Sequence, residues 1–231
     1  MKPTVGSLFA GIGGFDLAFE REGYDVAWQV EIDSYCQRVL EKHWPDVPRY
    51  DDVRDCGLHN LEPVDVIAGG FPCQDLSVAG KQEGLGGERS ALWWNMHRII
   101  GELRPRFAVV ENVPNLFNRG FDRVCGSLAE IGYDSEWHVI SAADVGAPHL
   151  RKRVWLCAWP NAVGDASGSG LHWQPRRWAG AQSEDRHTRM EKKDEHYWTG
   201  DPSICRVAHG VPHRVDRLRG LGNAIVPQIA Q

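Results

Sequence analysis

Short apolar runs alternate with amphipathic stretches from residue 1 to about residue 158, and this alternation limits the fold more than any other feature. The apolar runs have the length of buried strands, and the amphipathic stretches have helical spacing. The predicted strands are Val5–Phe9, Val26–Val30, Val64–Ala68, Phe107–Val110 and Val154–Ala158, and the predicted helices are Phe15–Arg21, Ser34–His43, Ser90–Leu103 and Phe121–Ile131. This order predicts an α/β doubly wound sheet with helices on both faces.

The pattern changes after Ala158. Residues 159–212 lack sustained apolar periodicity and are rich in Gly, Ser, Pro and charged residues, yet their tryptophans are too many for a plain linker. Apolar periodicity resumes at Val215. We therefore predict a core domain at 1–158, a small irregular insert at 159–212, and a segment at 213–231 that returns to the core. Because the chain stops soon after Pro227, we expect its last helix to be truncated.

The formal net charge of −5, from 26 Lys+Arg and 31 Asp+Glu, excludes a strongly basic polymer binder. It leaves a local nucleic-acid footprint possible. No apolar stretch approaches a membrane span and the N-terminus lacks a signal peptide, so we expect a cytoplasmic protein with no membrane contact. The six cysteines are scattered without a Cys-x-x-Cys pair. We therefore expect mostly reduced, buried thiols and no metal site.

A glycine-rich loop, Ser7–Gly14, separates the first predicted strand from the first predicted helix. Glycines there let the backbone approach a ligand, and Glu31 follows the second strand, where an acid can accept hydrogen bonds from ribose. Asp16 stands at the helix start, where it would repel a pyrophosphate, although it also fits a charge favourable to the helix dipole. We expect a nucleoside cofactor that carries a positive charge and no phosphate.

A candidate reactive pair follows two other predicted strands. Cys73 lies in the Gly69–Gln74 loop, fixed by Pro72, and Glu111 follows Phe107–Val110. Open α/β sheets place ligands at the carboxyl ends of their strands, so both side chains should face one edge. A cysteine is usually a small buried hydrophobe and a terminal Glu can be an ordinary surface charge. Together they predict a thiolate nucleophile and a carboxyl that donates a hydrogen bond.

Five segments, in order, resemble the motifs of the DNA (cytosine-5) methyltransferase family. They are Ser7–Phe15, Phe71–Gln74, Glu111–Val113, Pro148–Arg153 and Gly222–Ala224. The short chain most resembles bacterial and phage members. The resemblance implies a Rossmann-like, SAM-dependent methyltransferase sheet, with S-adenosyl-L-methionine (SAM) as cofactor and S-adenosyl-L-homocysteine as product.

The family motifs also imply roles for individual residues. Phe9 would flank the adenine, Glu31 would hold the ribose and Asp52 would meet the adenine edge. The implied cofactor-binding residues are Phe9, Ala10, Gly11, Ile12, Gly13, Gly14, Glu31, Ile32, Asp52, Val53, Pro72, Asn223 and Ala224. The expected catalytic residues are Cys73, Glu111, Arg151 and Arg153, and the expected substrate-binding residues are Gln74, Ser77, Asn112, His149, Arg176 and Arg177.

By this resemblance the chain transfers a methyl group to carbon 5 of cytosine in a specific double-stranded DNA sequence. Cys73 would add to carbon 6 of a flipped base, Glu111 would hold ring nitrogen 3, Arg153 would contact O2, and Arg151 would support the flipped nucleotide. We expect a monomer. A cognate restriction endonuclease, as in restriction–modification systems, is a possible partner that activity would not require. The insert would be the target-recognition region, with Arg176 and Arg177 among its available base readers.

Other functions remain as alternatives. A transfer-RNA cytosine-5 methyltransferase shares the catalytic motifs, and a non-catalytic DNA-binding relative would share the fold but be expected to lose Cys73 or Glu111. Amino-methyltransferases carry a different catalytic loop, and a nicotinamide oxidoreductase conflicts with Asp16. His149 stands where the family usually has Gln, and the long motif before Gly222 is reduced to about Val211–Leu221. The alternative to a catalytic role for Arg151 and Arg153 is that they are ordinary solvent-facing charges, which alternate on one strand face.

Overall fold

The computed structural model describes residues 1–72, 91–161 and 214–230. The strands are β1 (Thr4–Leu8), β2 (Asp25–Val30), β3 (Arg49–Tyr50), β4 (Val66–Gly69), β5 (Phe107–Asn112), β6 (Tyr133–Ile140) and β7 (Arg153–Pro160). The helices are α1 (Gly14–Arg21), α2 (Ser34–His43), α3 (Ala91–Leu103), α4 (Phe121–Glu130), α5 (Arg214–Asn223) and α6 (Pro227–Ala230). The predicted α/β doubly wound class is confirmed.

The strands form one seven-stranded sheet in the order β3-β2-β1-β4-β5-β7-β6. The pairs from β3 to β5 are parallel, whereas β7 runs antiparallel to both β5 and β6. The chain builds outward from β1 to β3 and then returns to place β4 on the other side of β1. This reversal opens a crevice at the carboxyl ends of the strands, where sheets of this class bind ligands.

Both faces of the sheet are buried, because alternate residues of a strand point to opposite sides. Val5 of β1 and Val66 of β4 pack on one face, with Phe15 and Phe19 of α1 and the partly buried Ile229 of α6. On the other face Leu8 of β1 and Ile67 of β4 join α3 and α4. The main members of this second cluster are Leu8, Ile67, Trp93, Met96, Ile99, Ile100, Val124 and Leu128. Burial on both faces explains why the central strands read as continuous apolar runs.

The sequence prediction omitted the two edge strands. Strand β6 alternates little in polarity and buries only Tyr133 fully, while β3 has just two residues. The side chains of β6 are mostly exposed, so this edge strand needs less apolar content than a central strand whose faces are both covered. The predicted strand at Val154–Ala158 extends to Arg153–Pro160, and the strand predicted to start at Val64 starts at Val66.

Capping explains why α2 begins at Ser34 as predicted. The Asp33 carboxylate accepts hydrogen bonds from the backbone N–H groups of Tyr35 (2.9 Å) and Cys36 (3.1 Å), which satisfies two donors that a helix start leaves unpaired.

The C-terminal helices return to the core, next to the glycine loop. A Cβ on Gly14 would lie 2.6 Å from Cγ1 of Ile225, and one on Gly220 would lie 3.2 Å from Cγ2 of Ile12. These close approaches fix α5 and α6 beside the start of α1.

The described cysteines, Cys36, Cys56, Cys125 and Cys157, form no disulfide. Cys36 and Cys56 are buried, while Cys125 and Cys157 are half-buried. Burial is the main factor that raises the pKa of Cys56 and of Cys157 to about 11, so both thiols stay protonated at neutral pH. Across the described ranges, no helix has the length and apolar character to cross a membrane.

Two glycine substitutions should affect stability in opposite ways. A Cβ on Gly6 would lie 2.1 Å from Cζ2 of buried Trp28, whose indole N–H is held by the Glu62 carbonyl at 3.0 Å. Gly6→Ala should therefore lower the free energy of unfolding by about 1–3 kcal/mol. Gly126 of α4 has open space around its Cα, so Gly126→Ala should raise it by up to about 1 kcal/mol. Urea unfolding followed by circular dichroism measures both; equal midpoints for the two variants would contradict this packing.

Candidate active site

A cavity of about 530 Å³ lies at the carboxyl ends of β1, β2, β4 and β5. Expected site residues on its wall are Phe9, Gly11, Glu31, Ile32, Asp52, Val53, Pro72, Glu111, Asn112, Arg151, Arg153 and Asn223. The wall also includes residues to which the sequence prediction gave no individual role, namely Val30, Asp33, Cys36, Asp51, Arg54, Gly70, Phe71, Leu92, Val113, Gly220 and Gly222. Many of these are sequence neighbours of predicted site residues, so the motifs located the cavity but not its full wall.

Glu31 organises the glycine-loop end of the cavity. Its carboxylate accepts a hydrogen bond from the Gly11 backbone N–H at 2.7 Å and another from the Asp33 N–H at 2.8 Å. The loop after β1 and the turn before α2 are thereby held on one side chain. A carboxylate has about four acceptor positions, so two remain for ligand hydroxyls.

The glycine loop passes through left-handed backbone conformations at Phe9 (φ 55°), Gly11 (φ 57°) and Gly13 (φ 86°). Glycine adopts this region without a steric penalty, but phenylalanine does not. A Cβ on Gly13 would also lie 2.3 Å from the Trp44 ring. Phe9, with this strained backbone, lines the cavity at the end of β1. Gly11 and Gly13 allow a tight turn there, which leaves room for the backbone to approach a ligand.

Asp52 is already engaged by a neighbour. Its carboxylate accepts hydrogen bonds from the Arg54 backbone N–H (2.9 Å) and from the Arg54 guanidinium, through Nε (2.9 Å) and Nη2 (2.5 Å). The Arg54 hydrogen bond is the main cause that holds the pKa of Asp52 below its usual value. Asp52 is thus an ionised acceptor on the cavity wall, and its contact with adenine stays a prediction.

Asp16 does not face the cavity, contrary to the reasoning that it would repel a pyrophosphate there. The side chain is fully buried against the sheet, and Gln29 of β2 donates a hydrogen bond to its Oδ1 at 3.0 Å. Burial raises the pKa of Asp16 to about 6, and the hydrogen bond from Gln29 limits the rise. Helical periodicity explains the correction, because the position turns inward with Phe15 and Phe19.

Glu111 and Arg153 form a largely buried ion pair at the other end of the cavity. Arg153 Nε donates to Glu111 Oε1 at 2.9 Å, and the two side chains are 19% and 11% exposed. Burial raises the pKa of Glu111 above its ordinary value, although the Arg153 and Arg151 cations oppose this rise. A Cβ on Gly70 would lie 2.8 Å from Glu111 Oε2, so the glycine makes room for the carboxyl. The carboxyl is therefore positioned to take up a proton.

Asn112 holds the loop that leads to Cys73. Its amide donates to the Phe71 carbonyl at 2.8 Å, and its oxygen accepts from the Val113 N–H at 2.8 Å. The side chain is 4% exposed. Asn112 thus ties the end of β5 to the backbone just before Pro72, a role that residue type alone could not indicate.

Arg151 and Arg153 do not alternate on a strand face. Strand β7 begins at Arg153, and Arg151 lies in the irregular segment before it with φ 21°. The Arg151 guanidinium donates to the carbonyls of Gly222 (2.8 Å) and Ala224 (2.7 Å). The two arginines therefore serve different ends of the cavity.

The remaining expected residues divide into two groups. Ala10, Ile12, Gly13, Gly14 and Ala224 are not on the described cavity wall, although they adjoin residues that are, and the exposed His149 is not on it either. Cys73, Gln74, Ser77, Arg176 and Arg177 lie outside the described residues.

A family model described as C-5 cytosine-specific DNA methylase matches residues 4–199. The type II methyltransferase M2.BsuMI of Bacillus subtilis is 37% identical over 162 residues, covering 67% of this chain and 41% of that protein. The type II methyltransferase M.HhaI of Haemophilus parahaemolyticus is 32% identical over 158 residues, covering 67% and 48%. The chain spans about half or less of the length of these relatives.

Solved structures show the same architecture. A putative DNA modification methyltransferase encoded within an E. coli prophage aligns with a TM-score of 0.59 and 28% identity, covering 69% of this chain and 47% of that one. The S. pombe Dnmt2 methyltransferase aligns with a TM-score of 0.61 over 69% of this chain and 51% of that one. At 18% identity this second similarity shows a shared fold.

The Glu111–Arg153 pair generates a pH prediction. Because the Arg153 cation stabilises the ionised carboxyl, Arg153→Met should raise the pKa of Glu111 further, toward the value that burial alone imposes. The neighbouring Lys152 is exposed and makes no described ion pair, so Lys152→Met is the matched control and should leave this pKa nearly unchanged. NMR titration of the 13C-labelled Glu111 carboxyl measures it. An unchanged or lowered pKa in Arg153→Met would contradict the pairing.

Proposed function

Because the chain belongs to the C-5 cytosine-specific DNA methylase family, we propose that it transfers a methyl group from SAM to carbon 5 of cytosine in double-stranded DNA. The family resemblance carried by the five motifs is thereby confirmed. The observation that carries the proposal is one cavity with two different ends. Glu31 and the glycine loop line one end, and the Glu111–Arg153 pair lines the other.

The residues of the first end fit SAM. The two open acceptor positions of Glu31 suit the hydroxyls of a ribose, and Phe9, Ile32 and Val53 offer apolar surface to a base. The acidic side chains on the wall suit a cofactor that carries positive charge. The volume of about 530 Å³ lies in the usual range for small-molecule sites.

When bound, SAM supplies an electrophilic methyl group. The residues of the second end would prepare cytosine to accept it. Cys73, which follows the cavity residue Pro72 in the chain, would add as a thiolate to carbon 6 and so make carbon 5 nucleophilic. Loss of the proton from carbon 5 and expulsion of the thiolate would then restore the aromatic ring.

Glu111 would protonate or hold ring nitrogen 3 while Cys73 attacks. The raised pKa of its carboxyl favours the protonated form that such a hydrogen bond needs. Arg153 orients that carboxyl at 2.9 Å and is available to contact O2 of the base. The acid and its orienting cation would thus make separate contacts with one ring. The base would have to leave the duplex to reach this cavity.

The segment 159–212 is proposed as the target-recognition region. Its sequence offers Arg176 and Arg177, a residue type that reads base edges. The division of the chain at 158 and 212, the monomeric state, the cytoplasmic location and activity without a cognate endonuclease stay predictions.

DNA that carries 5-fluorocytosine at the target cytosine should trap the protein. Fluorine cannot leave carbon 5 as a proton does, so the methylated adduct with Cys73 should persist. The expected result is a denaturant-resistant gel shift that requires SAM. Cys73→Ala should form neither the adduct nor 5-methylcytosine, and Glu111→Gln should keep the nucleophile but lose about 100-fold or more in rate.

Mass spectrometry of digested nucleic acids gives the matching readout for the natural base. Assays on duplex DNA and on transfer RNA, run in parallel, separate the proposed substrate from the RNA alternative. Methylation of RNA alone would overturn the DNA assignment, and no product on either would favour the non-catalytic alternative. 5-Methylcytosine made by Cys73→Ala would overturn the covalent mechanism.

The role of the insert is tested separately. Arg176→Ala with Arg177→Ala should weaken DNA binding or broaden the set of methylated sequences, because two base or phosphate contacts are removed. SAM affinity should stay unchanged. Bisulfite sequencing of DNA from expressing cells, with calorimetry for SAM, measures both; a loss of SAM binding would instead make the insert part of the cofactor site.

A further inference from the structure

Arg151 lies between the two ends of the cavity and reaches a distant part of the chain. Its guanidinium donates through Nη1 to the Gly222 carbonyl at 2.8 Å and through Nη2 to the Ala224 carbonyl at 2.7 Å. Within the described residues, both acceptors of its terminal nitrogens are backbone carbonyls, and neither is a negatively charged side chain. The backbone of Arg151 has φ 21°, a conformation unfavourable for a residue with a side chain.

The two acceptors are backbone groups at the C-terminal end of α5. The last carbonyls of a helix have no partner within the helix and carry partial negative charge. A guanidinium is suited to this position because its planar fork can bind two oxygens at once, which the point charge of a lysine cannot do as well. The contact therefore caps α5 with a residue that lies beside β7.

The capped segment forms part of the cofactor end of the cavity. Gly220, Gly222 and Asn223 lie on the cavity wall. The segment also packs on the glycine loop, since a Cβ on Gly14 would lie 2.6 Å from Ile225 and one on Gly220 would lie 3.2 Å from Ile12. A shift of the α5 end would therefore move both the wall and the loop that face the ligand.

We infer that Arg151 is a positioning residue for the cofactor, acting by holding the end of α5 as a wall of the SAM site. The resemblance alone assigned it to the flipped nucleotide. The inference rests on the proposed function for the identity of the ligand, and on the two hydrogen bonds to the end of α5 for the role of Arg151. Arg153, two residues later, holds Glu111, so one short segment fixes the cofactor end and the cytosine end together.

The test measures SAM affinity by calorimetry in the absence of DNA, on the whole chain. Arg151→Met removes both hydrogen bonds and should weaken binding about 10-fold or more. Arg151→Lys keeps the charge but not the fork, so its loss should be intermediate. Lys152→Met removes a neighbouring exposed charge and should bind as the parent does. Glu31→Ala is the reference for a lost cofactor contact.

Circular dichroism at the calorimetry temperature shows that each variant is folded, which separates positioning from loss of structure. SAM binding by folded Arg151→Met within about twofold of the parent overturns the inference. If Arg151→Met does not fold, parent-like affinity of Arg151→Lys overturns it instead. A parent that binds SAM but makes no 5-methylcytosine overturns the proposed function and leaves the role of Arg151 standing. Normal methylation by the parent, with parent-like SAM binding by Arg151→Met and Arg151→Lys, overturns the role of Arg151 and leaves the proposed function standing.

Discussion

The reversal of strand order between β1 and β4 determines where the cavity and the polar residues that line it can lie. It leaves a gap at the carboxyl ends of β1 and β4, where the connections of the chain diverge to opposite sides. The loops that follow β1, β2, β4 and β5 converge on this gap and bring their polar groups to one cavity. A different strand order would leave the same motifs on separate edges of the sheet.

Three buried or half-buried carboxyls, those of Glu31, Glu111 and Asp16, are stabilised by different kinds of partner. Backbone N–H groups satisfy Glu31, an arginine balances Glu111, and neutral Gln29 binds Asp16. Leaving a buried charge unpaired costs several kcal/mol, so removing Arg153 would harm Glu111 more than their net pairing energy suggests. Glu111, beside the Arg153 cation, and Asp16, bound by neutral Gln29, both have raised pKa values. Only Glu111 faces the cavity.

The sequence predicted the central sheet well, because strands buried on both faces must be apolar along their whole length. It missed β6 for the opposite reason, since an edge strand has no such requirement. Glu31 and Glu111, which the sequence placed at the ends of predicted strands, both line the cavity. The sequence could not show that Asp16 points inward, that Asn112 binds the Phe71 carbonyl, or that Arg151 caps α5. Each of these depends on side-chain direction or on contacts between distant segments, which spacing does not encode.

The two edges of the sheet also affect how readily the protein aggregates at high protein concentration. An exposed edge offers unpaired backbone groups to any other extended chain, and proteins blunt this hazard with short or charged edge strands. Strand β3 is only two residues long, and β6 carries Asp134, Glu136 and His138 among its exposed positions, beside the exposed Trp137 and Val139. Both edges are therefore poor templates for a foreign strand, so the polarity that hid β6 from sequence analysis also opposes aggregation.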